Sequence, residues 1–169
     1  MDLEEFQTHI LPYKNKLFRF ALSIVGNVAE AEDVVQEVLL KLWQNRQKLK
    51  TLNSIEAWSM TLTKNLSIDK LRSKHRKTTE IETTIAISSN DNTPYQTTEL
   101  KDTFNRIRKR IQTMPEKQRQ VLQLRDIEGM TYEEISQVTN LPINQVKVNL
   151  FRARKNIRAK LIKSESYGL

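Results

Sequence analysis

No cysteine occurs anywhere in the 169 residues, which excludes disulfides, thiolate zinc sites and cysteine nucleophiles at once. Only three glycines and four prolines are present, a scarcity that disfavours turn-rich β folds and suits helices. No uninterrupted apolar run approaches the roughly 18 residues a membrane-spanning helix needs. The opening "MDLEEFQ" is acidic and lacks the basic-then-apolar order of a signal peptide, so a soluble, cytoplasmic chain is expected. His9 and His75 stand far apart with no partner pattern, and no G-x-x-x-x-G-K, G-x-S-x-G or paired-carboxylate pocket is evident. Neither a metal, a cofactor nor an enzymatic activity is expected.

One further absence is local. Residues 78–100, "TTEIETTIAISSNDNTPYQTTEL", contain no Lys or Arg and carry Glu80, Glu82, Asp91 and Glu99 among many Thr and Ser. The stretch has no sustained helical period and reads as a flexible acidic linker; a long surface loop within one domain is the alternative. The expected organisation is all-α: two small helical domains, 1–77 and 101–169, joined by that linker.

What is present is basic. A formal charge of +8 and a pI near 9.7 make a polyanionic partner plausible, nucleic acid first and an acidic membrane surface second. In the first half, Leu3, Phe6, Ile10, Leu17, Phe20 and Ile24 recur at roughly helical intervals, with Pro12 marking a break. "GN" gives a turn before a strong helix with Val35, Val38, Leu39 and Leu42 on one face. "NSIE" offers a capping box, Asn53 to Glu56, opening a helix from about 54 to 77. The second half opens with a helix over about 101–112. Another starts at Pro115 and stops at Gly129. A second capping box, Thr131 to Glu134, opens a short helix through Val138. The last helix runs from about Pro142 to Lys163.

That last helix, "LPINQVKVNLFRARKNIRAK", sets Val146, Leu150, Ala153, Ile157 and Leu161 along one side. Between Ile143 and Lys163 stand seven basic residues and no acidic one. A merely solvated helix usually mixes signs, because opposite charges at i,i+4 stabilise it; an unmixed basic face suits a polyanion. Short capped helix, tight turn and basic amphipathic helix together form a helix-turn-helix, whose second helix enters the major groove N-terminus first. Asn144 and Gln145 suit base edges, and Lys147, Arg152 and Lys155 suit phosphates. A structural hairpin with a basic surface is the alternative.

Two other constellations stand out. In "EDVVQEVLLKLW", Asp33, Gln36, Glu37, Leu40 and Gln44 face away from the valine core. The set reads either as a small interface, one apolar anchor with a polar rim, or as a solvated face with a stray leucine. In "SIEAWSMTLTKNLSIDKLRSKHRK", Trp58, Leu62, Asn65, Asp69 and Arg72 share a stripe, and Asp69 and Arg72 are spaced to pair. Lys64, Lys70, Arg72, Lys74, Arg76 and Lys77 around them suit a nucleic-acid strand. Trp58 itself suits the core.

Taken in order, these pieces resemble sigma factors of bacterial RNA polymerase. "DVVQE" matches the family's D-x-x-Q-E signature, and Trp58, Asn65, Asp69 and Arg72 follow at the expected spacing. "MPEKQRQVLQLRDIEGMTYEEIS" and "LPINQVKVNLFRARK" look like its C-terminal helix-turn-helix. With two domains and no long spacer, the chain resembles the extracytoplasmic-function (ECF) type of the sigma-70 family. The resemblance implies that Asp33, Gln36, Glu37 and Leu40 dock on the clamp helices of the polymerase β′ subunit. It implies that Asn65 and the loop from about Leu49 to Ile55 capture an unpaired base of the −10 element, while Lys64, Lys70 and Arg72 hold the strand. Asn144, Gln145, Lys147, Val148, Phe151, Arg152 and Lys155 would meet the −35 duplex. The linker would thread toward the active-centre cleft. Core polymerase, including its β subunit, promoter DNA and an anti-sigma factor, possibly membrane-bound, are the implied partners; insertion of the chain itself into a membrane is not.

Val148 and Asn149 depart from the family pattern, in which a small residue and then Arg are frequent. Val148 offers only apolar contacts, such as with a thymine methyl, and Asn149 no phosphate clamp. Two rival readings stand beside the resemblance: a stand-alone DNA-binding regulator, which has no use for the "DVVQE" face, and a membrane-surface adaptor using its basic helices.

Overall fold

The structure, a computed structural model, describes residues 1–80 and 98–166. The described residues are helical with no strand. Helix α1 (Leu3–Ile10) is closed by a capping box, with Glu5 N donating to Asp2 Oδ1 at 2.8 Å and Asp2 N donating to Glu5 Oε2 at 3.2 Å. A 3₁₀ turn at Leu11–Tyr13 holds Pro12 where its missing N–H is harmless, and α2 (Lys14–Val25) follows. Gly26 ends α2 in the left-handed region, at φ 72°, and Asn27 caps α3 (Val28–Gln44) by accepting from Glu30 N at 3.0 Å. A short α4 (Arg46–Leu49) leads to the long α5 (Ile55–Glu80).

The core of this half is built from one stripe of each helix. Phe6 and Ile10 of α1, Leu17, Phe20 and Ile24 of α2, and Ala31, Val34, Val35, Val38 and Leu42 of α3 are buried. Leu3, placed by its spacing among the apolar positions, is instead exposed. On α5 the buried positions are Ala57, Ser59, Met60, Thr63 and Ser67, while Trp58 and Leu62 lie half-buried at its margin. The Ser59 and Thr63 hydroxyls donate back to Ile55 O and Ser59 O at 2.7 and 2.8 Å. Small side chains four residues apart let this helix lie close to α2 and α3. The cap of α5 is Ser54, whose Oγ accepts from Ala57 N at 3.1 Å; Asn53 does not cap. Glu56 faces Lys16 of α2 at 3.0 Å instead of reaching back to the chain.

The second half comprises α6 (Thr98–Thr113), α7 (Glu116–Leu122), α8 (Tyr132–Thr139) and α9 (Ile143–Ser166). The expected linker lies largely outside the described residues. Helix runs further into it than its polarity suggests, to Glu80 on one side and from Thr98 on the other. The expected single helix from Pro115 to Gly129 is two pieces: α7 passes into a π turn at Gln123–Ile127, in which Glu128 N donates to Gln123 O at 3.0 Å. Gly129, at φ 70°, ends it. Val121, Leu122, Leu124, Ile135, Val138, Val146, Leu150 and Ala153 form the buried centre of this half. The two halves also touch: α2 meets α7 and the π turn, and α5 lies against α8.

Candidate polymerase and nucleic-acid interfaces

Helix α3 separates its two faces cleanly. Ala31, Val34, Val35, Val38 and Leu42 are buried, and Asp33, Gln36, Glu37 and Leu40 between them are all exposed. Leu40 is 55 % exposed, an open apolar side chain ringed by one amide and two carboxylates. Asp33 is also reached from α5, where Lys70 Nζ lies 3.2 Å from its Oδ2. Lys74 Nζ stands 3.6 Å from Glu30. Two ion pairs therefore tie α3 to the basic end of α5, the Asp33–Lys70 pair reaching across 37 residues, which periodicity could not reveal.

On α5, Asn65 and Arg72 are exposed, and Lys64 and Lys70 are half-buried. Asp69 is exposed as well, and no ion pair joins it to Arg72 among the described residues, so the expected pairing is not formed. Burial lowers the Lys64 ammonium from its usual range, opposed by the charge of Glu116 from the second half. The loop before α5 divides: Leu49 is a core residue at 1 % exposure and cannot face a ligand, whereas Thr51 and Asn53 are exposed and Leu52, Ser54 and Ile55 half-buried.

The helix-turn-helix is built by its caps. Thr131 Oγ1 accepts from Glu134 N at 3.1 Å and donates to Glu134 Oε1 at 3.0 Å. Asn140 ends α8 in the left-handed region at φ 57°, which Asn tolerates better than most side chains. Ser136 Oγ donates to Leu141 O at 2.6 Å, fastening the turn before α9. Val146, Leu150 and Ala153 anchor α9 inward. Asn144, Gln145, Lys147, Val148, Phe151, Arg152 and Lys155 are all exposed, Phe151 by 67 %. Asn149 is buried at 8 %, its Nδ2 donating to Gln145 O at 2.8 Å. It is a helix-facing amide, turned away from the surface its neighbours share. Arg154 is taken up by a bidentate pair with Asp126, so it braces α9 on the π turn. Arg125 and Lys147 stack their cations over Tyr132, 4.5 and 5.4 Å from the ring centre.

An acidic, leucine-centred face on one half and a basic helix-turn-helix on the other find their counterparts among known proteins. The family model for sigma-70 region 2 matches residues 10–77, and that for sigma-70 region 4 matches residues 104–157. The chain belongs to the sigma-70 family, in its ECF form. It is 26 % identical to the ECF RNA polymerase sigma factor SigW of Bacillus subtilis over 95 % of this chain and 90 % of the relative. To the ECF sigma factor EcfG of Rhodopseudomonas palustris it is 28 % identical, over 94 % and 86 %. The fold is that of the sigma factor RpoE solved with the anti-sigma factor NepR from Bartonella quintana. The likeness has a TM-score of 0.79 at 23 % identity and covers 94 % of this chain and 98 % of that one. CnrH, solved with the cytosolic domain of CnrY, has a TM-score of 0.68 at 19 % identity, covering 96 % and 90 %. As an ECF sigma factor, the chain directs core RNA polymerase to promoters. No helix among its described residues is long and apolar enough to cross a membrane.

Proposed function

We propose that the two halves divide promoter recognition, residues 1–77 binding core polymerase and the −10 element and residues 101–169 the −35 element, with 78–100 joining them. The observation that carries this reading is the sorting of α3. Three residues of the matched signature, Asp33, Gln36 and Glu37, stand exposed beside the exposed Leu40, while Val34, Val35 and Val38 between them are buried. An uncovered leucine with an acidic rim has the anatomy of a docking point, an apolar anchor inside polar groups that fix register. Asp33, Gln36, Glu37 and Leu40 are the residues assigned to the polymerase β′ clamp helices.

Asn65 and the Thr51–Asn53 turn are assigned to an unpaired −10 base, and Lys64, Lys70 and Arg72 to its strand. Extruding a base costs a few kcal/mol, met by contacts in a pocket. On α9, Gln145 and Asn144 are assigned to base edges, Val148 and Phe151 to apolar base surfaces, and Lys147, Arg152 and Lys155 to phosphates. The inward turn of Asn149 removes it from that set. The protein lends recognition to the polymerase's chemistry and has none of its own; it acts in the cytoplasm, and an anti-sigma factor of the kind bound by RpoE is its expected antagonist. Replacing Asp33→Ala together with Gln36→Ala tests the docking assignment. Binding to core polymerase should weaken with the fold intact; undiminished binding would refute it and favour a stand-alone regulator.

A further inference from the structure

Between Ala57 and Thr79 of α5 the sequence has a single acidic residue, Asp69, set among Lys64, Lys70, Arg72, Lys74, Arg76 and Lys77. Nothing among the described residues calls for it. It is exposed and stands in mid-helix, away from either end, where aspartate is a poor helix former. Its carboxylate makes no ion pair and accepts no hydrogen bond among the described residues. Arg72, three positions on, does not pair with it, and the neighbouring Lys70 turns its ammonium to Asp33 of α3, 3.2 Å away. A bare carboxylate opposes the phosphate contacts that the surrounding cations offer. Discrimination, however, is a difference between right and wrong partners, and a repulsive element can supply it.

Helix geometry limits where such an element acts. Asn65, Asp69 and Arg72 are all exposed and follow at i, i+4 and i+7, on one face. Asn65 and Asp69 are about 6 Å apart along the axis. Nucleotides of one strand rise about 3.4 Å each, so the base beside Asp69 lies about two nucleotides from the base beside Asn65. Base chemistry then limits which base it is. An ionised carboxylate only accepts hydrogen bonds. On the major-groove edge, the groove a helix can enter, guanine shows two acceptors and thymine an acceptor beside its methyl. Adenine sets an acceptor next to its donor, and cytosine alone shows a donor with no acceptor beside it.

We propose that Asp69 is a specificity residue of the −10 contact, accepting from the N4 amine of a cytosine about two nucleotides from the base assigned to Asn65 and repelling the acceptor edges of the other bases. The inference rests on the assignment of Asn65 and α5 to the −10 element made above. It adds a base identity to that assignment and a reason for an acid to stand on a basic strand-binding helix.

The test uses full-length protein with purified core polymerase, transcribing a barcoded library of one mapped promoter randomised through its −10 element. Asn65→Ala should alter the preference at one position. About two positions away, the original protein should favour cytosine over thymine by about fivefold or more. Asp69→Ala should reduce that ratio to below about twofold and keep the preferences at other positions. Part of the change should be a gain, the thymine version being transcribed better by the variant than by the original. The urea midpoint of the free variant should be unmoved or raised, since Asp69 holds nothing there and alanine is the better helix former. Absence of the cytosine preference in the original, or its survival in Asp69→Ala, overturns the proposal. So does a loss of all −10 preferences together, or a lowered midpoint, either of which makes Asp69 structural. Weakened binding to core polymerase with the base preference kept makes Asp69 a polymerase contact and overturns it too. If Asn65→Ala leaves every −10 preference intact, the assignment of α5 to the −10 element has failed, and this inference falls with it.

Discussion

Val38 and Leu40 sit two residues apart on α3 and face opposite ways, Val38 with no exposure and Leu40 with 55 %. Truncating each to alanine should therefore separate folding from docking. Burying a whole leucine side chain is worth roughly 1.5–3 kcal/mol, so covering the half now open is worth about 0.8–1.7 kcal/mol. In Leu40→Ala that term is lost from the complex, and the dissociation constant for core polymerase should rise about 4- to 20-fold. The free protein should hardly notice, with stability within about 0.5 kcal/mol of the original. Val38→Ala removes two carbons from closed packing and leaves a cavity, costing roughly 2–3 kcal/mol of stability. Where it remains folded, its polymerase affinity should be close to normal. Urea unfolding followed by circular dichroism gives the stabilities, and fluorescence anisotropy with labelled protein gives the affinities. The reasoning fails if Leu40→Ala binds polymerase as well as the original, or if its loss of binding merely tracks a loss of stability.

Three further outcomes are expected. Lys64→Met should raise thermal stability near neutral pH, because burial penalises the charged amine, while weakening retention of opened −10 DNA. The sign follows from the lowered pKa: the penalty is complete below the folded-state value and is relieved as pH rises toward the ordinary lysine range, so the stability gain over the original should shrink in alkaline buffer. Asn65→Ala should impair strand opening more than initial duplex binding, read as lost permanganate reactivity at the −10 element with upstream footprints kept. Lys147→Ala, Arg152→Ala and Lys155→Ala should each lower the slope of log affinity against log salt by about 0.9; Val148→Ala should shift affinity without changing the slope.

Much of this was legible in the residue pattern, and the limits of legibility have physical causes. Repeats of three and four residues specify which side of α3 and α9 turns inward, so Asp33, Gln36, Glu37 and Leu40, and the basic set from Asn144 to Lys155, emerge where the wheel places them. Capping was harder, since Asn53 and Ser54 are both competent caps and adjacent. The choice fell to Ser54 because Glu56 is held by Lys16 from another helix, a contact no local rule contains. The stripe of α5 was misjudged for a similar reason. Ser59 and Thr63 are polar in type, yet they are buried beside Ala57 and Met60, since small hydroxyls that bond back to the preceding turn suit close helix packing. Asp69 and Arg72 had the spacing to pair and do not, being free in water where such pairs gain little. Glu128 is buried against Arg19, 109 residues away, a pairing that no local spacing could reveal. Asn149 turned inward to bond Gln145 O, which the family pattern, with its frequent Arg there, gave no cause to expect.

The central claim is that this chain confers promoter choice on a polymerase through the α3 face. Run-off transcription of genomic DNA by purified core polymerase, with and without the protein, tests it most directly when the 5′ ends are mapped. The protein should produce a discrete set of starts sharing one motif near −10 and another near −35, and Leu40→Ala with Asp33→Ala should abolish the set. Starts that do not depend on the protein, or that persist undiminished with the double variant, would contradict it.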